Sequence, residues 1–256
     1  YLDETEIQQH YRRTAILFTK YQNFYKSDIF ISKLNSKITL RYNNGNLEEE
    51  SNWVNGLRNG LYIDYHSNGE VYHKVKYKNE IRVGMDQFWN SEGEKIQEKF
   101  WEDGKLNGLY KNWFDNGVLE VEIFYKNGLK DGLETKWYQT GKVFSKTNWI
   151  RGLKQGSSKF LHENGNVKYV VNYLNDVENG FIQAFDEIGK VYFEGKFLHG
   201  SENDTIKHYH PNGEIKKIAY YIDGELNGIY KVWDENGFLK ENLNFSNNKK
   251  NGTCIW

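Results

Sequence analysis

Along most of this chain apolar and polar residues alternate with a period of two. In one stretch Leu119, Val121, Ile123 and Tyr125 would project to one side of an extended strand, and Val118, Glu120, Glu122 and Phe124 to the other. Such alternation belongs to strands and excludes a helix there. Each run is bounded by a glycine, and the glycines keep a fixed step of 24 residues: Gly45, Gly69, Gly93, Gly117, Gly141, Gly165, Gly189, Gly213 and Gly237. A second column, eleven residues further on, holds Gly56, Gly104, Gly128, Gly152, Gly200 and Gly224, with Glu80, Asp176 and Asn248 as exceptions. A third, at fifteen, is broken only by Asp204, and Gly195 alone is out of register.

Aromatic residues follow the same period. Eight residues after each first glycine stand Trp53, Tyr77, Trp101, Tyr125, Trp149, Tyr173, Phe197, Tyr221 and Phe245. Twenty residues after it come Tyr65, Trp89, Trp113, Trp137, Leu161, Phe185, Tyr209 and Trp233. A fixed period of this size marks a stacked repeat protein, whose units bury apolar surface mainly against their neighbours. Each unit reads as one β-hairpin. Asn-Gly, as at Asn116-Gly117, predicts a tight type I′ turn, and the longer connection Asn127 to Gly132 predicts glycine-dependent left-handed or bulged backbone at both ends. The expected fold is all-β: an elongated single-sheet antiparallel meander of about nine 24-residue hairpin repeats, with aromatic cross-strand ladders in place of a globular core.

Residues 1 to about 26 break the pattern. They lack glycine and place Ile7, Tyr11, Ala15 and Phe18 at helical spacing behind Asp3 and Glu6, which predicts a short amphipathic helix capping the array. Residues 28–42 read as two strands of a degenerate leading repeat, so 1–42 form the cap and 43–256 the array. Two irregularities are expected: a slip where Lys95 replaces an apolar residue, and a kink or loop at the polar stretch Leu198 to Asp204.

Composition narrows the function only by exclusion. The 34 Lys and Arg nearly cancel the 35 Asp and Glu, so no strong field draws the protein to nucleic acid or an anionic membrane. The single cysteine, Cys254, forms no internal disulfide, and no apolar run reaches the ~20 residues that span a bilayer. No signal peptide is legible after Tyr1, so the expected location is cytoplasmic, or periplasmic or extracellular if a leader precedes Tyr1. His208 and His210 alternate on one strand without a third ligand at a useful spacing, so no metal is expected. His66, His162 and His210 share one repeat column with Phe114, Tyr138, Asp186 and Asp234, which reads as a variable surface position. Phosphate-loop, dinucleotide and nucleophile motifs are absent, so neither catalysis nor a cofactor is expected.

The form Asn-Gly-x-Leu…Tyr-x-Asn-Gly-x-x-x-Gly-Leu-Tyr-x-x-Trp, seen from Gly104 to Trp113 and from Gly224 to Trp233, resembles the MORN repeats. It is closest to the bacterial variant often described as antitoxins, and the resemblance covers about residues 43–256. It implies a binding scaffold: an antitoxin or immunity protein that captures a toxin, with a surface protein contacting a host or another cell, or a membrane-associated scaffold, as alternatives. Aromatic residues outside the two ladders are the expected contacts for a protein partner: Tyr62, Tyr72, Phe88, Phe100, Tyr110, Phe114, Phe124, Tyr138, Phe144 and Phe160. The competing role for each is to pair across strands and cover the sheet. Oligomeric state is not legible.

Overall fold

The computed structural model describes residues 34–251. The helix expected within residues 1–26, and the strand expected at Ile29 to Ile31, lie outside the described residues. The chain divides into two compact units, Tyr1–Gly93 and Glu94–Trp256. In the first, Ser36–Arg41, Leu47–Val54, Leu57–Tyr65, Val71–Lys78 and Ile81–Trp89 form an antiparallel meander in which each strand pairs with the next. The second is a longer meander of the same kind. One of its repeats runs Leu119–Lys126, Leu129–Lys130, Gly132–Trp137 and then Val143–Ile150. All the described regular structure is strand.

Two different turns alternate along the chain, and they change places relative to expectation. At Phe114 to Val118 the Gly117 amide donates to the Phe114 carbonyl (2.9 Å) and the Phe114 amide to the Val118 carbonyl (2.8 Å). Only Gly117 has positive φ there, so this is a three-residue loop with glycine in a bulge, not a type I′ turn. The type I′ geometry sits at the other connection, where Asn127 (φ 52°) and Gly128 (φ 84°) alone join Lys126 to Leu129. Asn55-Gly56, Asp103-Gly104 and Arg151-Gly152 repeat it. Both sites contain Asn-Gly, so the dipeptide alone could not tell them apart; what separates them is the number of residues left unpaired.

Beyond each type I′ turn one strand bulges. From Lys130 to Thr135 the chain takes five steps while its partner takes three, from Tyr125 to Glu122. Two extra residues preserve the side on which later residues project. Gly132, at φ 128°, absorbs the bulge and lies opposite Trp149. At the other end of the hairpin a single extra residue, Phe144, separates the pairs Lys136 with Ser145 and Trp137 with Val143. One extra residue reverses the projection, so Val143, opposite Trp137, lies on the other face from Ser145 and hence from Trp149. Consequently the two aromatic ladders line opposite faces.

One face of each sheet is covered and the other open. In the second unit the covered face carries Ile123, Val171, Ile182, Ile206, Ala219 and Leu243 at mid-strand, all buried. It needs no second layer, because bulky side chains flank each position along the strand. Val171, 1 % exposed, lies between Tyr169 and Tyr173 on its own strand, and burial raises both phenol pKa values. Lys154 stands 4.8 Å from the Tyr173 ring and Lys130 4.4 Å from that of Trp149, adding cation–π attraction along the same face.

The polar stretch before Asp204 is not a kink or loop, and around Lys95 the pairing with the following strand keeps the register of the other repeats. Gln97 faces Asn112 as Val121 faces Lys136 one repeat later, so the register around Lys95 is conserved within its hairpin. Ser201–Tyr209 is an unbroken strand, with Asp204 opposite Tyr221 as Gly132 is opposite Trp149. His199-Gly200 is an ordinary type I′ turn in this series. The stray Gly195 instead serves packing: a Cβ there would lie 2.3 Å from Cδ1 of Ile206, which is fully buried.

Candidate functional site

The ten aromatic residues expected to form one contact surface are divided among three places. In the first unit Tyr62 is buried against Val75 and Tyr77, which corrects its assignment as an exposed contact. It was placed away from the second ladder, but that side is the covered face. Phe88 lies flat on His73, ring centroids 4.1 Å apart, and Tyr72 packs edge-on against both His66 and Phe88. In the second unit Tyr110 and Phe160 also belong to the covered face, Tyr110 edge-on to Tyr125 and Phe160 stacked on Tyr169 at 4.1 Å. Phe144, the bulged residue, contacts both Tyr138 and Phe160. Phe114 is half-buried beside its turn. Phe100 and Phe124 alone stand on the open face, and there each also covers a glycine of the next strand, Gly108 and Gly132.

The supposedly variable histidine column joins one repeat to the next. Nε2 of His66, His162 and His210 each lies 2.9 Å from the carbonyl oxygen 23 residues ahead, on Trp89, Phe185 and Trp233. The acceptor is a carbonyl, so Nε2 carries the proton. The Tyr138 hydroxyl donates to Leu161 in the same way (2.8 Å). Asp186 and Asp234 turn back and accept from their own loops. Sequence reading missed this because Tyr and His share no side-chain class, only a donor that reaches the carbonyl 23 residues ahead. His210 is thereby drawn away from His208, whose pKa is lowered by burial and by Lys217 and Lys216. Among the described residues no group of three His, Cys, Asp or Glu is placed to hold a metal ion.

The exceptions to the second glycine column are explained at the opposite edge. Glu80, Asp176 and Asn248 each accept, through the side chain, the amide hydrogen of the residue 22 positions earlier: Arg58, Lys154 and Leu226. A glycine cannot form this bond. Each such tie is worth about 0.5–1.5 kcal/mol, more where a carboxylate accepts.

The densest titratable cluster lies on the covered face of the first unit. His73 Nε2 is 2.7 Å from Asp86, and its Nδ1 is 3.7 Å from Asp64. The Tyr62 hydroxyl donates to Asp64 (2.8 Å) and reaches Glu49 at 3.3 Å. Burial pushes the imidazole pKa down, but the hydrogen bonds to Asp64 and Asp86 and their charges outweigh it, so the His73 pKa is raised. A histidine clasped by carboxylates, which favour its charged form, and covered by Phe88 is a structural cluster. Asp86 and Glu49 are themselves buried.

An extended run of exposed apolar residues lies on the open face of the second unit. Phe124, Leu133, Ile150, Leu174 and Phe181 are 43–55 % exposed, on neighbouring strands between residues 119 and 185. A shallow recess of about 750 Å³ opens near the type I′ turns, lined among others by Asn148, Ile150, Gln155, Asn172, Leu174 and Asn179. Contiguous exposed apolar surface of this kind marks interaction sites.

These features define a repeat protein built from hairpins tied edge to edge, with one open face available to a partner. The chain belongs to the MORN repeat variant family, whose pattern matches residues 58–79, 106–127, 130–150, 154–175, 205–223 and 226–247. Most of these matches begin just after a type I′ turn, so the family's unit is the hairpin closed by the three-residue loop. No curated protein matches the chain. Among solved structures, a chain of the crystal structure of TcdB2-TccC3-Cdc42 aligns over 82 % of this chain at 11 % identity, with a TM-score of 0.18. This chain spans 13 % of that one's length, and a similarity at that score carries no argument.

Proposed function

We propose that this protein is a non-catalytic, protein-binding scaffold of the antitoxin or immunity type, which captures a toxin on its repeat array and blocks it sterically. The observation that carries the binding reading is the open face of the second unit. Phe124, Leu133, Ile150, Leu174 and Phe181 stand exposed there. The family supports a scaffold; the toxin as partner rests on the resemblance to bacterial variants described as antitoxins. In this reading the two proteins meet in the cytoplasm, with no cofactor or nucleic acid taking part. Co-expression with the product of an adjacent toxin-like gene tests it. Recovery of growth together with a co-purifying complex supports the proposal, whereas continued toxicity with no complex contradicts it.

A further inference from the structure

The open face of the second unit carries a ligand template with a measurable period. Gln155 and Asn179, 24 residues apart, each accept through the side-chain oxygen an amide hydrogen from the following turn, of Asn175 (3.0 Å) and His199 (3.5 Å). Asn148 and Asn172, in the same register, donate through Nδ2 to the carbonyls of Ser157 (3.2 Å) and Phe181 (3.0 Å). Each amide is therefore clamped at one end. The other ends, Nε2 of Gln155, Nδ2 of Asn179 and Oδ1 of Asn148 and Asn172, have no partner among the described residues. The four residues line the recess together with Ile150 and Leu174. Alongside, Lys146 and Lys159 face each other directly as a cross-strand pair, both exposed, with no acidic partner among the described residues. Like charges so placed repel, and a carboxylate brought between them would relieve the repulsion.

Equivalent positions in successive repeats are two strands apart, or about 9.6 Å. An extended β-strand, whose side chains recur on one side about every 6.8 Å, does not match that step. A polyproline-II helix does: three residues at 3.1 Å return to the same face after about 9.3 Å, and its backbone N–H and C=O groups are all unpaired. Strand twist of about 20–25° per strand turns the template away from a straight ligand within two to three repeats, which limits the match to about seven residues.

We propose that this face binds an acidic segment of a protein partner in the polyproline-II conformation, running across the repeats. Apolar side chains at every third residue lie against Ile150 and Leu174. The clamped amides pair with the segment's backbone, and its carboxylates reach Lys146 and Lys159. This proposal rests on the protein-binding reading and names the chemistry of the partner.

Fluorescence anisotropy with the full chain and labelled heptapeptides tests it. Leu-Pro-Glu-Leu-Pro-Glu-Leu is expected to bind. The same composition with leucine at every second position, and the analogue with lysine in place of glutamate, are each expected to bind about tenfold more weakly. Lys146→Glu and Ile150→Ser, both at exposed positions, are expected to weaken the first peptide to a similar extent while leaving the melting temperature unchanged. Equal binding of all three peptides, no binding of any, or full binding to Lys146→Glu overturns the proposal. Any of these results would leave a co-purified toxin complex intact, so the two readings fail separately.

Discussion

Gly195 shows how one residue can be conspicuous in sequence for a reason only packing reveals. It breaks the glycine register, yet the register shift beside it is the one that recurs in other repeats, and its role is to leave room for Ile206. Gly195→Ala is expected to cost about 1–3 kcal/mol, the usual price of overpacking a buried site. Combining it with Ile206→Val removes the Cδ1 atom that clashes and should recover part of the loss. Chemical denaturation of the two single variants and the double variant measures the coupling, and strict additivity would contradict this packing. Phe114 offers the converse case. It occupies the column where Tyr138 donates to the carbonyl 23 residues ahead, but has no hydroxyl to do so. Phe114→Tyr is expected to raise stability by about 0.5–1.5 kcal/mol through a bond to Trp137; an unchanged or lower melting temperature would show that the carbonyl is out of reach.

At the scale of the element, strand identity, hairpin repetition and the third glycine column were legible because each depends on local backbone geometry. Asn127-Gly128 and Asn116-Gly117 were not distinguished, since both need positive φ at glycine and differ in pairing. The faces were only half legible for a related reason. Alternation is read reliably until a one-residue bulge such as Phe144 reverses it, and nothing in the bulged residue's type announces that. Alternation placed Tyr62 correctly on the side away from Tyr65; because the bulges set the two ladders on opposite faces, that side is the covered one and Tyr62 is buried. The inter-repeat ties stayed hidden because Tyr and His perform the same bond. Of the candidate site, the aromatic composition was visible and its division among three surfaces was not. The exposed aliphatic residues Leu133, Ile150 and Leu174, which matter most to the open face, were passed over in favour of rings.

At the scale of the whole molecule, pH acts on the first unit through His73. Its raised pKa means that the cluster's stabilisation is fully present below the usual histidine value of about 6.5 and is lost as pH rises through the folded value. The protection of amides in Val71–Lys78 against hydrogen exchange, corrected for intrinsic rate, should therefore be greater at pH 6 than at pH 8.5. His73→Asn should abolish that difference, and a difference that survives the substitution would assign it elsewhere. In the proposed reading the open face of the second unit is the binding surface, since the covered face is occupied by its own side chains. The most direct test of that division is a hydrogen-exchange footprint of the chain with and without its co-expressed partner. Protection concentrated in Leu119–Lys126, Val143–Ile150 and Val167–Leu174, and abolished together with the complex by replacing exposed Ile150 and Leu174 with aspartate, is the predicted result. A stable complex that leaves these strands unprotected, or that tolerates both substitutions, would contradict the account.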